Sequence, residues 1–156
     1  MNTRQKTSRP TNLLSIQENQ ARKERPMTGF GLWRLGFRPF YLGAALFSST
    51  AILLWLGALW GYVSLPTFST LSPIAWHAHE MVFGFALAVI AGFLLTASNN
   101  WTGILPAAGL PLATLFCLWG AARYLLAADD LLIAAWADLA FVALLVSLLF
   151  RVLYLA

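Results

Sequence analysis

The longest uncharged stretches of this chain decide what it can fold into. No Asp, Glu, Lys or Arg occurs between Arg38 and Glu80, and none between Glu80 and Arg123. An apolar run of roughly 20 residues is the length that crosses a bilayer as an α-helix. Only 10% of the residues are charged, where a soluble domain carries about a quarter. The pattern predicts an all-α protein: a polytopic transmembrane helical bundle of four spans after a disordered basic N-terminal tail. The first span is expected at about 40–62, the second at about 73–97, the third at about 110–127 and the fourth at about 131–150.

The boundaries follow from local chemistry. Pro39 suits a first helical turn, where its missing N–H costs nothing. Ser72 and Pro73 form an N-cap and first-turn pair for the second span. Asn99, Asn100, Thr102, Gly103 and Pro106 read as the loop that ends it. Asp129 and Asp130 mark the turn before the fourth span, and Arg151 closes it.

Residues 1–31 are polar and without hydrophobic periodicity, and are read as a disordered tail on the cytoplasmic side. Eight of the ten Lys and Arg residues lie at or before Arg38. Because this basic segment leads straight into a span, it reads as a topology signal and not as a nucleic-acid arm. The N-terminus is then cytoplasmic, and four spans return the chain to that side. The lone Cys117 can form no internal disulfide and reads as a small apolar residue.

The second span carries the chemistry. Both histidines, His77 and His79, sit beside Glu80 near its start, in the segment Ser72–Gly92. A charged group at the centre of a spanning helix costs about 2.5–3.5 kcal/mol on insertion scales, so such residues point to function. With the N-terminus inside, His77, His79 and Glu80 lie roughly 6–10 Å along the helix from its outer end. Arg123 and Asp138 fall at a similar depth on the third and fourth spans, so the ionisable groups within the spans gather in the outer half. Arg123 and Asp138 are expected to pair across that helical hairpin.

On a regular helical wheel, His77 and Glu80 share a face with Gly84, Ala88 and Ala91, and that face is expected to look into the bundle. His79 lies about 200° from His77, nearer Phe83 and Ile90. From a regular helix the two imidazoles cannot chelate one ion; non-helical chain near Trp76 would reopen that possibility. Imidazole is a common ligand of haem iron, copper and zinc. Glu80, Asp138 and Arg123 are candidates for supporting a ligand or carrying a proton. Gly84, Ala88 and Gly92 form a small-residue series that lets another helix approach, by self-association or against further spans.

Several blocks also carry a family resemblance. Gly36-Phe37-Arg38-Pro39-Phe40, Trp76-His77-Ala78-His79-Glu80-Met81 with Phe83-Gly84-Phe85, Gly92-Phe93-Leu94-Leu95-Thr96 and Asn100-Trp101-Thr102-Gly103 together resemble the NnrS family, in the same order and spacing, over about residues 30–156. The resemblance implies a bacterial inner-membrane protein that contains haem and copper and takes part in the response to nitric oxide and nitrosative stress. It implies His77 and His79 as cofactor and metal ligands. Members of that family have about twelve spans, so the chain is expected to correspond to the N-terminal portion, with further histidine ligands in later spans. Two other functions fit the residues: a proton-coupled or proton-conducting protein using His77, Glu80 and Asp138, and a purely structural helical module.

Overall fold

A computed structural model describes Trp33, Leu35 and residues 37–156 apart from Leu105; the tail expected at 1–31 lies outside the described residues. Four helices dominate. They are α1 (Phe37–Leu59), α2 (Pro73–Thr102), α3 (Leu110–Ala127) and α4 (Leu131–Leu155), and each is long and apolar enough to cross a membrane. No strand occurs among the described residues. The chain runs up and down, so the α1–α2 and α3–α4 connections share one end of the bundle. That end also carries His77 and His79.

The helix boundaries show which local signals govern. The Ser72 side chain accepts the Ala75 N–H at 3.2 Å, and Pro73 takes the first turn of α2. α3 matches its expected bounds. α2, however, continues through Asn99–Thr102 and stops only at Gly103, whose φ of 71° closes the helix in the left-handed region. Asn and Thr are mild helix formers that a helix tolerates, whereas Gly reaches positive φ without a Cβ penalty. α4 runs past Phe150 to Leu155 because Arg151 does not break a helix. α1 ends at Leu59, short of Tyr62, where Gly61 turns the chain with φ 75°.

Several hydroxyl side chains inside the spans are satisfied within their own helix, which suits a bilayer. Ser49 and Thr50 donate to the carbonyls of Ala45 and Leu46 at 2.8 and 2.9 Å. Thr96, Ser98 and Ser147 bond back one turn in the same way. The outward faces carry exposed Leu42, Leu46 and Leu53 on α1, Ile90 and Phe93 on α2, and Leu132, Trp136 and Phe150 on α4. Such surfaces suit a lipid bilayer as solvent.

The core has two apolar layers. The larger joins Phe40 and Ala44, Ala88, Ala91 and Leu95, Leu112, Leu115 and Trp119, and Phe141 and Leu145. The smaller, at the histidine end, joins Ala51, Trp76, Leu126 and Ala134. The small-residue series of α2 is already occupied within the chain. Gly84, Ala88 and Gly92 are buried, and a Cβ at Gly92 would lie 3.1 Å from Phe40 and 3.0 Å from Tyr41. Within the chain α1 packs on this face, because short side chains let the two backbones approach.

The shared end is clipped together. A short 3-10 helix, Pro66–Ser69, sits in the α1–α2 connection. Ser69 and Thr70 hydroxyls donate to Asp129 Oδ2 at 3.0 and 2.9 Å, tying this loop to the α3–α4 turn. Asp129 itself has a φ of 72°.

A buried ionic layer in the candidate functional site

Between the two apolar layers lies a layer of charge. On α2, Glu80 falls between Trp76 and Ala88; on α3, Arg123 falls between Trp119 and Leu126; on α4, Asp138 falls between Ala134 and Phe141. The flanking residues belong to the two core clusters. The side chains of Glu80, Arg123 and Asp138 retain only 1%, 6% and 8% of their accessible surface. Arg123 holds both acids. Its Nη1 donates to Glu80 Oε2 at 2.5 Å. Its Nη2 donates to Asp138 Oδ2 at 2.6 Å and also to Asp138 Oδ1. The expected Arg123–Asp138 pair is present, and Glu80 is drawn into it.

Charge-assisted bonds of this kind are the strong ones, and a planar guanidinium can serve two carboxylates at once. In an apolar interior such a set persists only when paired, because each ion has lost its water. Two carboxylates share one guanidinium here. A Glu80 Oε1 and an Arg123 Nε remain without partners among the described residues.

A second tie joins α3 to α2 one turn further along. The Trp119 indole N–H donates to Gly84 O at 2.9 Å. Trp119 and Arg123 are one helical turn apart on α3, as are Gly84 and Glu80 on α2. The two helices thus meet in antiparallel register through two polar rungs. Glycine at 84 leaves room for both: a Cβ there would fall 2.6 Å from Glu80 Oε2 and press on the Phe47 ring, and those side chains would have to shift.

The histidines face different helices, as the wheel placed them, and His79 also reaches the ionic layer. His79 Nε2 lies 3.7 Å from Asp138 Oδ2, an ion-pair separation longer than a hydrogen bond. Its ring stacks on Phe83 with centroids 4.7 Å apart. His77 instead stacks on Trp55 of α1, with centroids 4.2 Å apart and planes 14° from parallel. So His79, not His77, accompanies Glu80 to the ionic layer. Pro73–His79 is regular α, so in rotation Glu80 lies between the two rings, about 60° from His77 and about 100° from His79; His77 meets α1 on one side of it and His79 meets α4 on the other. Glu80–Ala86 is a π-helical turn, in which the Leu87 N–H donates five residues back to Val82 O.

His79 and Asp138 also line a cleft of about 350 Å³ between α2 and α4, walled by Phe83, Ala135, Leu139 and Val142. The cleft is open to the bundle surface, and the His79 side chain keeps 32% of its accessible area.

The donor set can be tested against haem and copper. Among the described residues, no three or more His, Cys, Asp or Glu side chains come together to hold a metal ion. His77 faces α1 and His79 faces α4, and the chain before Glu80 is regular helix, so joint ligation of one ion by both imidazoles is not available. Each ring does leave its Nδ1 without a hydrogen-bond partner among the described residues. The arrangement therefore fits one imidazole offered to each of two centres and does not fit a chelated ion. Trp119, Trp55 and Phe83 were not among the sequence candidates. The only signal for Trp119 was its position one turn before Arg123 on the same face.

Comparison with known proteins agrees with this picture. No curated protein and no solved structure gives a significant match. The family profile described as NnrS protein matches residues 31–156, well over half of the chain and inclusive of all four helices, so the chain belongs to the NnrS family.

Proposed function

We propose that the chain is a haem- and copper-associated protein of the bacterial inner membrane, acting in the response to nitric oxide and nitrosative stress. His79 supplies one imidazole at the α2–α4 cleft, and His77 a second on the α1 side. The observation that carries this reading is the place of the family's Trp76–Met81 block, which sits at a buried, charge-paired layer with an imidazole at the edge of an open cleft. A haem iron or copper ion held by one of these imidazoles would supply redox chemistry at that site. The chain's own residues do the rest. Asp138 stands beside His79 Nε2 and biases its orientation, as carboxylates beside ligand imidazoles do. Arg123 fixes Asp138, and Glu80 fixes Arg123 from the other side. The basic residues at or before Arg38 favour a cytoplasmic N-terminus, which places the ionic layer in the periplasmic half of the membrane.

The proton-conducting reading has less support. Beyond the ionic layer the core is built from Phe40, Leu95, Leu112, Leu115 and Phe141, which offer no relay.

The experiment is a visible spectrum with iron and copper assays on the full chain purified from membranes. A Soret band that disappears in His79→Ala supports the assignment of His79, and loss of copper in His77→Ala that of His77. A preparation from haem- and copper-replete cells that is colourless and metal-free removes the proposal.

A further inference from the structure

The π-helical turn and the indole that meets it form a device that neither the family nor the proposed cofactors explain. The buried positions Trp76, Glu80, Gly84 and Ala88 recur every four residues. At 100° per residue each such step overshoots a full turn by about 40°, so a regular α-helix would carry these four residues about 120° round its axis. They nevertheless all face the bundle, because the wider turn at Glu80–Ala86 absorbs the drift. The turn thus accommodates one residue more than an α-helix would use.

Such a turn has a cost. Five-residue bonds are rare within an α-helix and persist where their surroundings hold them. Gly84 O, inside the turn, receives the Trp119 N–H at 2.9 Å. The indole is itself held: Trp119 is 4% exposed and packs edge-on against Phe47 with centroids 5.8 Å apart. The same turn of α3 carries Arg123, one step toward the histidine end.

We infer that Trp119 is a positioning residue: its N–H, bonded to Gly84 O, holds the π-helical turn that sets His79 and Glu80 over Asp138 and Arg123. Without that bond, α2 relaxes toward a regular helix, which rotates the Pro73–Glu80 segment away from the ionic layer. The inference concerns the geometry of the chain and stands whether or not a metal binds.

Solid-state NMR of the full chain in lipid bilayers tests it. The first measurement is dipolar contact between ¹⁵N in the tryptophan indoles and ¹³C in the glycine carbonyls. The second is contact between ¹⁵N in the histidine rings and ¹³C in the aspartate carboxyls, assigned to His79 by its loss in His79→Phe. The native chain is expected to show both. Trp119→Phe keeps the ring and removes the donor, and is expected to lose the His79–Asp138 contact. Deleting Val82, an exposed residue of the π-helical turn, returns the spacing to that of a regular helix, which needs no indole to hold a wider turn. The deletion placed on Trp119→Phe is therefore expected to restore the contact. A purely packing role for the indole would not be rescued in this way. The inference is overturned if the native chain lacks the indole–glycine contact, if Trp119→Phe keeps the His79–Asp138 contact, or if the deletion fails to restore it. Should Trp119→Phe not accumulate in membranes, accumulation of the double variant with the contact present supports the inference, and failure of both overturns it.

Discussion

Replacing Arg123 by Met should unsettle the bundle more than any other single change to a polar residue. The guanidinium is the sole cation bonded to Glu80 and Asp138 among the described residues, and both carboxylates lie almost wholly out of solvent. Removing one partner of a buried ion pair costs about 3–5 kcal/mol, because the remaining charge is stranded. Two pairs share Arg123, so their losses overlap instead of adding. Protonation of a stranded carboxyl caps the cost further. The expected loss is therefore about 3–5 kcal/mol in total, a large share of the 5–15 kcal/mol that typically holds a fold. Unfolding in mixed micelles with increasing SDS, followed by helical circular dichroism, reads this directly. The companion variant Glu80→Gln/Arg123→Met/Asp138→Asn removes every charge together and should recover to within about 1 kcal/mol of native, since replacing a whole buried ion set by neutral groups is often close to neutral. An Arg123→Met protein within about 0.5 kcal/mol of native would refute the reasoning. So would a triple variant as unstable as the single one.

Three further outcomes follow from the same geometry. Gly84→Ala should destabilise by about 1–3 kcal/mol through overpacking against Phe47 and Glu80, seen as an earlier midpoint in the same unfolding series. Asp129→Ala should cost about 1–2 kcal/mol, because it removes the acceptor for Ser69 and Thr70 and, at positive φ, the short polar side chain that eases such a backbone. Asp129→Asn, which tolerates that backbone, should cost less than half as much, and faster proteolysis of the loop at residues 63–72 should follow the same order. His77→Phe should preserve the stack on Trp55 and leave the unfolding midpoint within about 0.5 kcal/mol of native, while removing the nitrogen that a metal would need; the midpoint and the copper content of one preparation check both halves.

Four spans and the depth of the ionic layer were legible because they rest on charge, which is scarce in this chain. With only Glu80, Arg123 and Asp138 charged in the interior of the spans, matching depths already predicted the Arg123–Asp138 pair. The helix start at Ser72–Pro73 was legible because those residues force the backbone, whereas the ends near Asn99–Thr102 and Arg151 were missed, because those residues permit helix without requiring it and only Gly103 stops α2. The small-residue face of α2 was visible, but its occupant was not: nothing in Gly84, Ala88 and Gly92 distinguishes α1 of the same chain from another copy.

The wheel placed the two histidines on different sides of α2, with His79 near Phe83, and the contacts agree; the approach of His79 to Asp138 was not visible in it. A wheel converts spacing into direction only if the pitch is constant, and the four-residue recurrence of Trp76, Glu80, Gly84 and Ala88 drifts on a constant pitch. That recurrence mixes an aromatic, an acid, a glycine and an alanine, so no hydrophobic period reveals it. It becomes a signal only when Trp119 and Arg123 are set beside it as a second pair one turn apart, with donors to match a carbonyl and a carboxylate. Two rungs of this kind fix both the rotation and the register of α2 against α3. With them in place, His79 stands on the side of α2 that meets Asp138, and His77 on the side that meets Trp55.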